Sequence, residues 1–119
     1  MAHGDVTHLE IPVSDFEASK AFYDTVLGWK INDVPGFDDY PMWQGPNGAS
    51  GGALVKRATD FTQPRSTVEV DSIDDVLAKA EASGGRVVTP KSPISETSWW
   101  GVFEDPDGNV IGLFEGTMG

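Results

Sequence analysis

The chain has 119 residues, of which 39% are hydrophobic and 10% aromatic, which suits a single domain with a core and argues against disorder. Eight Lys and Arg against 19 Asp and Glu give a formal net charge of −11, a surface that repels phosphate backbones and anionic lipid, so no nucleic-acid and no membrane partner is expected. There is no cysteine, which excludes disulfides, thiolate metal sites and a cysteine nucleophile. No apolar run approaches the roughly 20 residues of a membrane span. The opening Met1-Ala2-His3-Gly4-Asp5 lacks the basic and apolar regions of a secretory signal, so a soluble cytoplasmic protein is expected.

His8 to Val13 alternates as a strand, with Leu9, Ile11 and Val13 on one face and His8 and Glu10 on the other. Ser14 is placed to cap a helix, with Glu17 completing a capping box. That helix carries Phe16, Phe22, Tyr23, Val26 and Leu27 toward a core and ends at Gly28, a residue free to turn left-handed. Strands are predicted over Lys30 to Val34, Tyr40 to Gln44 and Gly51 to Lys56, the last two joined by the Pro46-Asn47-Gly48 turn. Ala58 to Pro64 is polar and turn-prone.

The pattern then repeats. Val70-Asp71-Ser72-Ile73-Asp74 echoes Val13-Ser14-Asp15-Phe16-Glu17, and Gly85 echoes Gly28, each pair 57 residues apart (13 to 70, 28 to 85). Thr67 to Val70 is a strand, and Ser72 or Asp71 caps a helix with Ile73, Val76, Leu77 and Ala80 on one stripe. Strands follow over Arg86 to Thr89, Trp99 to Glu104 and Asn109 to Glu115, with Pro90 to Ser98 expected as a loop long enough to fold over a site. The fold class is therefore α+β: one domain over 1–119 of two tandem βαβββ modules, about 5–57 and about 64–116, curling a mixed sheet around a cleft. By strand parity His8, Glu10, Thr67 and Glu69 point into that cleft.

His8-Leu9-Glu10-Ile11-Pro12-Val13, Ala21-Phe22-Tyr23 with Leu27-Gly28-Trp29, Val70-Asp71-Ser72-Ile73-Asp74 and Phe103-Glu104-Asp105-Pro106-Asp107-Gly108-Asn109 occur in this order. The ordered set resembles the glyoxalase / bleomycin-resistance / extradiol-dioxygenase (vicinal oxygen chelate) superfamily, most closely its short proteins related to lactoylglutathione lyase. The resemblance implies paired modules, a homodimer, a small-molecule ligand and, in the enzyme members, a divalent metal held from the first and last strands of each module. Of the four ligand positions it implies, His8 keeps a ligand type. Arg65 occupies the second, and an arginine is always protonated and cannot ligate. Gly52 and Gly112 occupy the other two and offer no side chain. Glu10 and Glu69 could join His8 in a rebuilt site, while Glu115, an odd number of positions from Gly112, faces the other way on a regular strand.

The functional expectation is a small-molecule-binding glyoxalase-like protein, or a metal-independent isomerase or lyase working beside a carbonyl. Its rivals are a metal-dependent lactoylglutathione-lyase-type enzyme and a non-catalytic binding or accessory protein. His8 and Glu10 are the candidate catalytic residues, since an imidazole titrating near neutrality suits proton transfer. Arg65 could clamp an anionic group or pair with Glu10. Thr67, Glu69, Tyr40, Met42 and Trp100 are the remaining candidate ligand contacts, with Trp43 and Phe103 facing the helices. No cofactor is expected, a divalent metal being the open alternative.

Overall fold

The computed structural model describes residues 2–117. The chain is α+β, with β1 (Val6–Val13), α1 (Phe16–Leu27), β2 (Lys30–Val34), β3 (Phe37–Gln44), β4 (Gly51–Lys56), β5 (Arg65–Glu69), α2 (Ile73–Ala82), β6 (Arg86–Ser95), β7 (Ser98–Glu104) and β8 (Val110–Gly116). It forms two compact units, one of residues 7–65 and one of residues 2–6 with 66–117.

In the first unit the strand order is β2-β3-β4-β1, with β1 and β4 parallel and the other neighbours antiparallel. Alternation along β1 buries Ile11 and Val13 beneath α1 and sends His8 and Glu10 to the opposite face. Ile11, Val13, Trp43 and fully buried Leu54 form the core. Beside them Tyr23 stacks on Trp29 (ring centroids 5.1 Å apart) and Trp29 on Trp43 (3.7 Å). Such pairs add about 0.5–1.5 kcal/mol beyond their burial. Gly28, at φ 70°, ends α1 and swings the chain so that Trp29 reaches this column.

Two expectations for α1 are corrected. Asp15, not Ser14, is the N-cap, its carboxylate accepting the Ala18 N–H at 3.0 Å. A carboxylate there both satisfies an orphan donor and complements the helix dipole. Phe22, Val26 and Leu27 do not enter the core but stand 58%, 57% and 47% exposed. The inward stripe of α1 is Phe16, Ser19, Lys20 and Tyr23, at i, i+3, i+4 and i+7, which leaves Phe22 and Val26 on the outward side.

In the second unit the strand order is β5-β8-β7-β6, with β5 and β8 parallel. Val70, Ile73, Leu77 and Leu113 form its core, and Phe103 packs against it from β7. Ser72 caps α2, accepting the Asp75 N–H at 3.2 Å. Pro90 to Ser98 is not a loop: β6 runs on to Ser95, beside β7, with three shifts of register. Pro90 and Pro93 lack an N–H to donate, and β6 tolerates them because it is the outermost strand of this unit.

Glu115 on β8 faces α2. One oxygen accepts the Ile73 N–H at 2.8 Å and the other accepts Lys91 Nζ at 2.9 Å, with that ammonium 4.5 Å above the Trp99 ring. The Ile73 N–H, then the Lys91 charge, hold the Glu115 carboxyl below its usual value. Its stabilisation is therefore present above the ordinary carboxylate range and is lost as pH falls through the lowered value. Glu115→Ala should cost about 1–2 kcal/mol in urea unfolding at pH 7, by analogy with a lost helix cap, and should lose less stability on acidification than the native chain.

Candidate functional site

The face of the first unit's strands opposite α1 carries the candidate site. His8 and Glu10 stand two apart on β1, and Tyr40 comes from β3. β4 lies between those strands and places Ala53 directly beside Glu10 and Met42. Its single methyl leaves room for the Tyr40 phenol to cross. Tyr40 Oη donates to Glu10 Oε2 at 2.6 Å and lies 2.8 Å from His8 Nε2, with the two rings parallel within 7°. Arg65, the last residue of this unit, donates through Nη2 to Glu10 Oε1 at 2.6 Å. Its guanidinium rests 4.5 Å over the Phe61 ring, while its Nε is buried without a partner.

The proton count fixes the histidine tautomer. The phenol has one hydrogen, and it goes to Glu10. His8 Nε2 must therefore carry the hydrogen that Tyr40 Oη accepts, which leaves Nδ1 as a bare lone pair. Among the described residues Nδ1 has no hydrogen-bond partner and is not sealed from solvent. Burial lowers the His8 pKa against the opposing pull of Glu10, so the ring is neutral near pH 7. Burial first, and Glu10 next, push the Tyr40 phenol far above its usual value and keep it protonated.

His8 also lines an open groove of about 420 Å³ that crosses this sheet. Met42 lines it as well, with Lys30 and Asn32 of β2, Gln44 of β3 and Ser50 of the β3–β4 turn. The structure thus brings together His8, Glu10, Tyr40 and Arg65, and sets Met42 in the neighbouring groove. Thr67 and Glu69 stand on β5 opposite Gly112 and Phe114, and Trp100, 37% exposed, stands on β7 opposite Ser92 and Phe114, all within the second unit. Trp43 and Phe103 pack with the helices. The groove residues Lys30, Asn32, Gln44 and Ser50 escaped the sequence reading, although the alternation of Lys30 and Asn32 about Ile31 marks them as one face of β2.

The residues present do not fit a divalent metal. Among the described residues no group of three His, Asp or Glu side chains converges. Glu10 has both oxygens engaged, by Arg65 and by Tyr40. Gly52 cannot be replaced by a ligand, because a Cβ there would run into the Leu9 carbonyl and lie 2.5 Å from Trp43 Nε1. That indole donates to Leu9 O at 3.0 Å through the space the glycine leaves. At Gly112 an added Cβ would lie 2.9 Å from the Thr67 hydroxyl.

Residues 5–46 match the family described as bleomycin resistance protein-like, N-terminal. The protein named "Putative glyoxylase CFP32" in Mycobacterium tuberculosis is 27% identical over 119 residues, covering 94% of this chain and 46% of that protein; the chain therefore spans about half the length of this relative. Among solved structures, methylmalonyl-CoA epimerase from Mycobacterium tuberculosis superposes with a TM-score of 0.72 at 18% identity, over 98% of this chain and 91% of that one. A methylmalonyl-CoA epimerase in complex with methylmalonyl-CoA and NH4+ superposes at 0.66 and 15% identity, over 98% and 97%. At these identities the structural likeness speaks to the fold, and it agrees with the sequence matches. The chain thus has a glyoxalase-like fold, and its first unit carries the bleomycin-resistance-like family pattern over residues 5–46.

Proposed function

We propose that this small-molecule-binding glyoxalase-like protein moves a proton on carbon next to a carbonyl, as an isomerase or lyase, with His8 Nδ1 as the base and without a metal ion. The carrying observation is the hydrogen-bond chain from Arg65 through Glu10 and Tyr40 to His8 Nε2, which leaves Nδ1 free and unprotonated. Nδ1 takes the proton from the carbon, the electron pair passes into the carbonyl as an enolate, and the resulting imidazolium returns a proton to the same carbon or, where that carbon bears a hydroxyl whose proton passes to the enolate oxygen so that it becomes the new carbonyl, to the former carbonyl carbon. Glu10, with both oxygens committed, is a positioning residue in this scheme, as are Tyr40 and Arg65. Burial keeps the His8 imidazole in the unprotonated form that a general base needs at ordinary pH. The epimerases that share the fold are named for a change at one carbon of an acyl-CoA, and this is consistent with the reading.

The test is proton–deuterium exchange at the carbon beside the carbonyl of a methylglyoxal–glutathione adduct, followed by proton NMR in D2O after dialysis against EDTA. The expected result is exchange above the buffer rate, lost in a folded His8→Gln variant. No exchange by the native chain would remove the proposal. Exchange that appears only on adding zinc, nickel or manganese would replace it with the metal-dependent reading.

A further inference from the structure

We infer that the groove of the first unit takes an elongated ligand with an anionic end, a carboxylate or a phosphate, held by Lys30. The inference rests on the proposed role of His8, which lines this groove, and names the class of ligand the groove selects.

Acidic residues make up 19 of 119 positions, so thirteen taken at random would include about two; the thirteen residues that line the groove include none. They include Lys30, which makes no ion pair among the described residues. The one carboxylate of β2, Asp33, is turned away from the groove and paired with Lys20 of α1 at 3.2 Å. A free ammonium in a wall without carboxylates, on a chain of net charge −11, is a local reversal of the protein's field. Beside Lys30 the Asn32 and Gln44 amides and the Ser50 hydroxyl can donate to the same anion. Met42 and Val34 supply an apolar floor.

The length follows from the sheet. Lys30 is on β2 and His8 on β1, the two outer strands of the order β2-β3-β4-β1. Three strand spacings separate them, roughly 14 Å. A ligand that reaches both must be extended, with its anion at the Lys30 end and its reactive carbon at the His8 end. A free small carbonyl compound would touch only one of the two.

Three probes separate the alternatives: 7-oxooctanoate, 7-oxooctyl phosphate and methyl 7-oxooctanoate, titrated calorimetrically into the native chain and into Lys30→Gln. Lys30 is exposed, so the variant should fold, and circular dichroism checks that it does. One or both anions should bind about tenfold tighter than the ester, with the gap narrowing as salt rises. Lys30→Gln should bring the favoured anion to within about twofold of the ester and leave the ester unchanged. Which anion binds tighter decides between carboxylate and phosphate. Equal affinities for anion and ester, no binding of either anion, or an anion preference that survives in Lys30→Gln would each overturn the inference. Exchange that depends on His8 while the anion preference is absent would sink this inference alone; Lys30-dependent binding without exchange would sink the proton transfer alone.

Discussion

Gly52→Ala should destabilise the chain by about 3 kcal/mol or more, among the largest effects available to one methyl group. The added carbon would meet the Leu9 carbonyl of the neighbouring parallel strand and come within 2.5 Å of Trp43 Nε1. Backbone cannot swing aside as a flexible side chain can, so β1 and β4 must separate locally. The Trp43 N–H···O=C Leu9 bond is lost in the process, and a buried donor without its partner costs about 1–3 kcal/mol. Trp43 also carries the aromatic column with Trp29, so its displacement reaches the core. Gly112→Ala is the contrast. There the nearest atom is the Thr67 hydroxyl at 2.9 Å, which can rotate, and the backbone lies at 3.5 Å or beyond. It should cost about 1 kcal/mol or less. The urea midpoints of the two variants decide the matter, and a Gly52→Ala midpoint equal to the native one would refute the account.

Much of this is legible in the amino-acid sequence. Strand alternation placed His8 and Glu10 on one face and Ile11 and Val13 on the other, because a period of two needs no tertiary information. The duplicated caps and glycines gave the two βαβββ modules for the same reason. What was not legible depends on distant context. Phe22 and Val26 read as core residues because hydrophobicity names no direction; only the stripe from Phe16 to Tyr23, anchored by Trp29, shows which side of α1 is inward. Pro90 and Pro93 read as a loop because proline removes a donor, and only the outer place of β6 makes that harmless. In the sequence Tyr40 stands only as a candidate ligand contact. Its bonds to Glu10 and His8, 30 and 32 residues away, required knowing that Ala53 would sit between the strands.

Arg65→Met should cost about 2 kcal/mol, below the range for a sealed ion pair because both partners keep some solvent. Arg65 and Glu10 are 18% and 14% exposed at the side chain, and the 2.6 Å contact gives one carboxylate oxygen a charged donor. Removing the guanidinium leaves a half-buried anion with Tyr40 as its remaining partner. The methionine keeps most of the packing on Phe61, so the loss reports charge and hydrogen bonding rather than volume. Adding Glu10→Gln should then recover part of the stability, since the double variant contains no uncompensated charge, and the double-mutant cycle should give a coupling of about 1–2 kcal/mol. The sign at His8 follows from the same charges. Burial lowers its pKa and Glu10 raises it, so Glu10→Gln should send it lower still. The neutral imidazole is the form the fold favours, so its stabilisation is whole above the ordinary value near 6.5 and is lost as pH falls from there through the lowered folded value. In Glu10→Gln that loss should extend to lower pH, followed by the imidazole resonances in NMR and by urea midpoints across pH 4–7. An Arg65→Met chain as stable as the native one, or a His8 pKa that rises in Glu10→Gln, would mean that the four side chains are neighbours without being a connected system.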